Sequence, residues 1–81
     1  MAHSLYGPAS GVAAEIARYL DCNPLASDNL VGVIRCWLNR DPSAGTREVV
    51  EFALLEMVAR GEVERLSLPD GGFVYRRARR A

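Results

Sequence analysis

The sequence predicts a small α+β domain in which a bundle of three helices is followed by a C-terminal β-hairpin. Apolar residues recur at helical spacing in three successive segments, and each segment ends at a Pro or Gly signal. The stretch after the third segment instead alternates apolar and polar residues on both sides of a Pro-Asp-Gly-Gly turn. At 81 residues the chain has the length of one small domain, so nearly all of its apolar residues are needed for the core.

The first two helices are predicted over residues 9–22 and 27–39. The first has Ser10 as its N-cap, and the second begins with Ser27 or Asp28 in the same role. The second helix is apolar over most of its circumference, which is typical of the central helix of a small bundle.

The third helix is predicted over residues 46–60, and Gly61 occupies the cap position that ends it. A hairpin over residues 63–77 completes the domain, which we assign to residues 9–77. Before it lies a flexible N-terminal segment, residues 1–8, and after it a basic tail, residues 78–81. If the turn has four residues, three pairs face each other across the strands: Leu68 and Phe73, Leu66 and Tyr75, and Glu64 and Arg77.

Ten residues on the inward faces of these elements are expected to form the core. They are Ile16, Leu20, Leu30, Ile34, Trp37, Leu38, Ala53, Leu54, Met57 and Tyr75. Cys22 and Cys36 are also assigned to the core as buried thiols, although a disulfide between them stays open. Two cysteines and His3 cannot supply the four ligands of a structural zinc site, so no metal is expected.

The composition, 49% hydrophobic and 25% charged residues, is that of an ordinary globular protein. No apolar run approaches the roughly 20 residues of a membrane-spanning helix, and the N-terminus lacks the pattern of a secretory signal. We therefore expect a cytoplasmic protein without membrane contact.

The net charge of zero hides an uneven distribution. All ten cations are arginines, and four of them lie in the last six residues, where there is no acid. The rest of the chain holds six arginines against ten acidic residues, a net charge of −4. An acidic body with a basic end bears directly on the class of partner.

The segment from Val50 to Arg77 resembles the C-terminal half of winged helix-turn-helix domains. Their third helix carries Ala-Leu-x-x-Leu-x-x-x-Gly, followed by an apolar residue, a strand, an Asp-Gly turn and a return strand with an aromatic residue. The matching positions here are Ala53 to Gly61, Val63, Asp70-Gly71 and Tyr75. Together with the two preceding helices, the resemblance covers about residues 9–77. It implies a winged-helix fold, which by itself does not specify a function.

The chain departs from that family in two places. The connection between the second and third helices, from Asn39 to Gly45, is longer than the usual short turn. In DNA-binding members the outer face of the third helix lies in the major groove and needs cations and amides. Here that face carries one cation, three carboxylates and two large apolar side chains. Its predicted residues are Arg47, Glu48, Glu51, Phe52, Leu55, Glu56 and Ala59.

Two interpretations of Phe52 and Leu55 stay open. They could pack against the N-terminal segment or the second helix as part of the core. Alternatively, they could form an exposed apolar patch rimmed by acids, which marks a protein interface or a homodimer seam. The second interpretation gives the candidate protein-interface residues, which are Glu48, Glu51, Phe52, Leu55 and Ala59.

A DNA-binding regulator is the alternative function. Its wing and tail would grip phosphates without help from the third helix. The candidate residues for nucleic acid are Arg47, Arg65, Arg76, Arg77, Arg79 and Arg80. A basic tail is also a common means of keeping a protein in solution.

No residue set in the sequence has the pattern of a catalytic site or of a phosphate-binding loop, so we expect neither an enzyme nor a cofactor. The sequence-based hypothesis is a non-enzymatic winged-helix module that acts through protein contacts, as a homodimer or as a subunit of an assembly.

Overall fold

The computed structural model describes residues 7–79 of the chain. It contains helices and a three-stranded antiparallel sheet, so the predicted α+β class is confirmed. The elements in chain order are α1 (Gly7–Cys22), β1 (Ser27–Asp28), α2 (Leu30–Gly32) continued by a π-helix (Val33–Trp37), α3 (Ala44–Ala59), β2 (Val63–Ser67) and β3 (Phe73–Arg77). In the sheet, β3 lies between β1 and β2.

The first helix begins at Gly7, two residues earlier than predicted, and Ser10 lies inside it rather than at its cap. Pro8 is tolerated in the first turn of α1, because the N–H groups of a first turn have no partners within the helix. Residues 1–6 of the expected N-terminal segment lie outside the described part of the chain.

The second helix starts later than predicted, because Ser27 and Asp28 form strand β1 instead of its cap. They pair with Arg76 and Tyr75 of β3 in an antiparallel register. The N-cap is Asn29, whose side-chain oxygen accepts a hydrogen bond from the N–H of Gly32 at 2.8 Å.

The second helix continues as a π-helix over Val33–Trp37. Its wider turn is closed by the N–H of Leu38, which donates to the carbonyl of Val33 five residues earlier, at 3.0 Å. Four residues of this segment are buried in the core, namely Val33, Ile34, Trp37 and Leu38. Cys36 lies on the other side of the helix and faces solvent. Cys22 is the last residue of α1 and is also exposed. The predicted burial of both cysteines is therefore wrong, and both are free thiols.

Helix α3 has a well-defined cap at each end. Ser43 caps its start by accepting a hydrogen bond from the N–H of Thr46 at 3.3 Å, so the helix begins two residues before the predicted position. At its end Gly61 adopts a φ of 77°, and the N–H of Glu62 donates to the carbonyl of Met57 at 2.9 Å. This is the left-handed cap predicted for Gly61.

The hairpin is confirmed, but the predicted register of its strands is wrong by one residue. The cross-strand partners are Val63 with Arg77, Glu64 with Arg76, Arg65 with Tyr75, Leu66 with Val74, and Ser67 with Phe73. Because side chains alternate between the two faces of a strand, Leu66 and Tyr75 lie on opposite faces of the sheet. Glu64 faces Arg76 and not Arg77.

The turn explains the shift in register. Gly71 adopts a φ of 90°, and its N–H donates to the carbonyl of Leu68 at 3.0 Å. The N–H of Leu68 in turn donates to the carbonyl of Gly72 at 2.8 Å, so Gly72 belongs to the ladder. The loop therefore has three residues instead of four, with glycine at the left-handed position that such loops require.

The core lies between α1, the π-helix, α3 and the inner side of the hairpin. Nine of the ten predicted core residues are buried, and Leu30 is half-buried at its edge. Trp37 is stacked on Tyr19, with ring centroids 5.3 Å apart. Buried residues that the predicted list did not include are Ala9, Val12, Ala13, Val33, Val50 and Val63. Within residues 7–79, none of the helices combines the length and hydropathy that crossing a bilayer requires.

Candidate functional site

The outward side of α3 holds the five residues predicted as a protein interface. We call this surface the acidic face: Glu48, Glu51, Phe52, Leu55 and Ala59. All five are exposed, with Phe52 at 37% and Leu55 at 41% of their full accessible areas. Of the two open interpretations of Phe52 and Leu55, the structure therefore favours exposure over packing into the core.

The acidic face follows from the geometry of the helix. Successive residues are rotated by about 100°, so the side of α3 opposite Val50, Ala53, Leu54 and Met57 must face away from the core. Those four are at most 1% exposed. Glu56 is exposed beside the acidic face. The outward surface of α3 therefore combines two apolar side chains with three carboxylates.

Arg47, the single cation predicted on this helix surface, lies toward the sheet. It lines a shallow groove between α3, the start of α2 and β3, together with Phe73 and Tyr75. Arg65 is also near this groove, because its guanidinium carbon lies 4.3 Å above the centre of the Phe73 ring. Such a cation–π contact holds the guanidinium of Arg65 against the hairpin.

Three other arginines come together at the opposite end of β3. They line a concavity of roughly 450 Å³ between the end of β3 and the loop that follows α1. We call it the arginine hollow, and its lining residues are Pro24, Leu25, Ala26, Ser27, Arg76, Arg77, Ala78 and Arg79. Leu25 at its rim is 95% exposed. Arg80, the sixth predicted nucleic-acid residue, lies outside the described part of the chain.

Glu64 accepts hydrogen bonds from two of the arginines that line the hollow. Its Oε1 accepts a hydrogen bond from Nε of Arg76 at 2.9 Å, and its Oε2 accepts one from the backbone N–H of Arg79 at 3.3 Å. The Arg76 hydrogen bond, followed by that of Arg79, lowers the pKa of Glu64. The lining of the hollow contains three arginines and no acidic residue, and Glu64 offsets part of their positive charge.

The predicted nucleic-acid residues therefore divide into two groups. Arg76, Arg77 and Arg79 line the arginine hollow, whereas Arg47 and Arg65 lie near the ring of Phe73. Because the two groups lie at opposite ends of β3, these arginines do not form one continuous phosphate-binding surface.

The arginine hollow was not predictable from local sequence patterns. Leu25 follows Pro24 in a loop, outside any periodic pattern, and the arginines that line the hollow with it come from the distant end of β3. Its one local signal is an apolar residue placed directly after the proline that ends a helix. Among residues 7–79, no three His, Cys, Asp or Glu side chains are grouped closely enough to hold a metal ion.

Comparison of the chain with models of protein families, with curated proteins and with solved structures gives no match.

Proposed function

We propose that this chain is a cytoplasmic, non-enzymatic winged-helix binding module that acts through protein contacts. The order of three helices and a hairpin supports a winged helix, as does the resemblance over residues 50–77. The long connection between Trp37 and Ala44 and the composition of α3 set it apart from DNA-binding members.

The acidic face is the observation that carries this proposal. Phe52 and Leu55 are three positions apart on a helix and are therefore neighbours on its surface. Both are exposed, whereas fifteen other hydrophobic side chains among the described residues are buried. Adjacent exposed apolar side chains with a polar rim are typical of protein interfaces.

The same surface argues against insertion of α3 into a DNA groove. The carboxylates of Glu48, Glu51 and Glu56 would each approach the phosphates of a polyanion, and each opposes binding. A carboxylate contributes to base recognition only where it accepts from cytosine. Arg47 alone cannot offset three negative charges on one helix face.

The first test replaces Leu55 by glutamate and measures protein capture. The immobilised chain is exposed to a cell lysate to which a tagged second copy of the chain has been added. The retained proteins, including that copy, are quantified for wild type, Leu55→Glu and Leu68→Glu. Leu68 is the matched control, because it is 38% exposed but lies at the turn of the hairpin. We expect Leu55→Glu to retain at least about tenfold less of a specific partner than wild type does, with an unchanged melting temperature. Equal capture by all three proteins would contradict the proposal.

DNA binding is a second candidate function, and the arginine hollow is the observation that favours it. Fluorescence anisotropy with a random-sequence duplex at low salt tests it. In the DNA hypothesis, Arg76→Ala and Arg77→Ala weaken binding and flatten its salt dependence, whereas Phe52→Glu has little effect. Our proposal expects no binding of the duplex at physiological salt.

A further inference from the structure

We infer that the partner of the acidic face is a second copy of this chain, whose arginine hollow receives it. This inference rests on the proposed function and names the partner for the same face. The resulting contact is head-to-tail, because α3 of one copy meets the end of β3 and the loop after α1 of the other.

Charge complementarity is the first support for this contact. The acidic face places Glu48 and Glu51 beside Leu55, and the arginine hollow places Arg77 and Arg79 beside Leu25. Each surface thus combines an exposed leucine with charged side chains, and the charges on the two surfaces have opposite signs. Arg76 is not needed for the attraction, since Glu64 already pairs with it.

Shape is the second support. The acidic face is the convex side of a helix of 16 residues, and the arginine hollow is a concavity of roughly 450 Å³. Arg79 is held at the rim by the hydrogen bond between its backbone N–H and Glu64. A receptor surface fixed in this way loses less conformational freedom on binding than a loose tail would.

Exposure is the third support. Leu25 is 95% exposed and Leu55 is 41% exposed, so both have apolar area to bury on association. The hollow is lined by residues of the 24–27 loop and the end of β3, and no residue of α3 takes part. The contact between the two surfaces must therefore form between copies and not within one chain.

The charge of the whole chain permits such an association. With ten cations and ten anions the copies carry no net charge, so they do not repel one another at long range. A head-to-tail contact joins two different surfaces, and it can close into a dimer or ring or continue into longer oligomers. Either product supports the inference.

Charge reversal with mixing tests the contact directly. One variant carries Glu48→Arg and Glu51→Arg, and the other carries Arg77→Glu and Arg79→Glu. In each variant alone the two surfaces carry charges of the same sign, so the dissociation constant for self-association should be about tenfold higher than that of wild type. Their equimolar mixture brings opposite charges together again and should restore association in sedimentation velocity. A variant with Arg18→Glu and Arg35→Glu, two exposed residues away from both surfaces, should associate like wild type.

Each other outcome overturns the inference in a recognisable way. If the arginine variant associates like wild type, the copies meet through α3 alone. If the mixture stays monomeric although both variants keep the wild-type melting temperature and circular dichroism, charge pairing between the two surfaces is wrong. If wild type is monomeric at every concentration but loses a captured protein through Leu55→Glu, the second copy is excluded while the proposed function stands.

Discussion

Leu54 and Leu55 are consecutive residues of the same type on α3, yet their environments are opposite. Leu54 is fully buried, whereas Leu55 is 41% exposed among carboxylates. One step along the helix separates a residue of the buried core from one whose side chain reaches solvent. If the proposed function is correct, stability and recognition depend on different sides of the same helix, so single substitutions can separate them.

The largest loss of folding stability is expected on substitution of Trp37, which is buried in the core like Leu54. Trp37→Ala removes a side chain that is 8% exposed and is stacked on Tyr19. The loss is about 3–5 kcal/mol, which is comparable to the whole stability of a domain this small. Thermal melting followed by circular dichroism should show no cooperative transition. A normal melting curve would mean that Trp37 does not anchor the core.

The two leucines themselves provide the matched test. Leu54→Ala should lower the free energy of unfolding by about 2–5 kcal/mol, because it leaves a cavity in the core. Leu55→Ala should lower it by about 1 kcal/mol or less, because half-exposed side chains contribute little to folding. Urea denaturation of both variants measures the difference. Equal losses would erase the distinction between the two sides of α3.

A smaller effect is expected at Gly71, whose φ of 90° sets the length of the hairpin loop. Gly71→Ala should cost about 1–2 kcal/mol, since a Cβ disfavours the left-handed conformation. Gly11→Ala is the control, because a Cβ at that helical position meets open space. Chemical denaturation of the two variants distinguishes them. A stable Gly71→Ala variant would contradict the three-residue loop and the register that depends on it.

The smallest effect is expected at Glu64. Its pKa is lowered in the folded chain, chiefly by the hydrogen bond from Arg76, so its contribution is present above the ordinary glutamate pKa of 4.5 and is lost as the pH falls below it. Both partners are about one-third exposed, which keeps the contribution small. Glu64→Gln should melt below wild type at neutral pH and converge with it in acid. A constant difference across pH would rule out the ion pair as its cause.

The sequence was sufficient where structure depends on neighbouring residues. Helical periodicity located α3 and its buried side, and the cap position predicted for Gly61 is confirmed by its φ of 77°. The same helical geometry placed Phe52 and Leu55 away from the predicted buried side, although the sequence left their exposure open. These features need only contacts within a few turns of the chain.

The errors occur where distant segments meet or where the backbone departs from the commonest geometry. Ser27 and Asp28 are good helix caps locally, but pairing with β3 makes them a strand. The hairpin register depends on the conformation of Gly71. Cys36 was assigned to a buried stripe that is narrower than predicted, and it is exposed. The arginine hollow was missed because it joins residues about fifty positions apart.

Sedimentation velocity of wild type and Leu55→Glu over a concentration series tests the central claim most directly. The account predicts that wild type shifts to larger sedimentation coefficients as concentration rises, and that the shift weakens with added salt. Leu55→Glu should remain monomeric at the same concentrations, with a melting temperature close to that of wild type. Identical sedimentation of the two proteins at every concentration would contradict the assignment of the acidic face as the surface that binds a second copy.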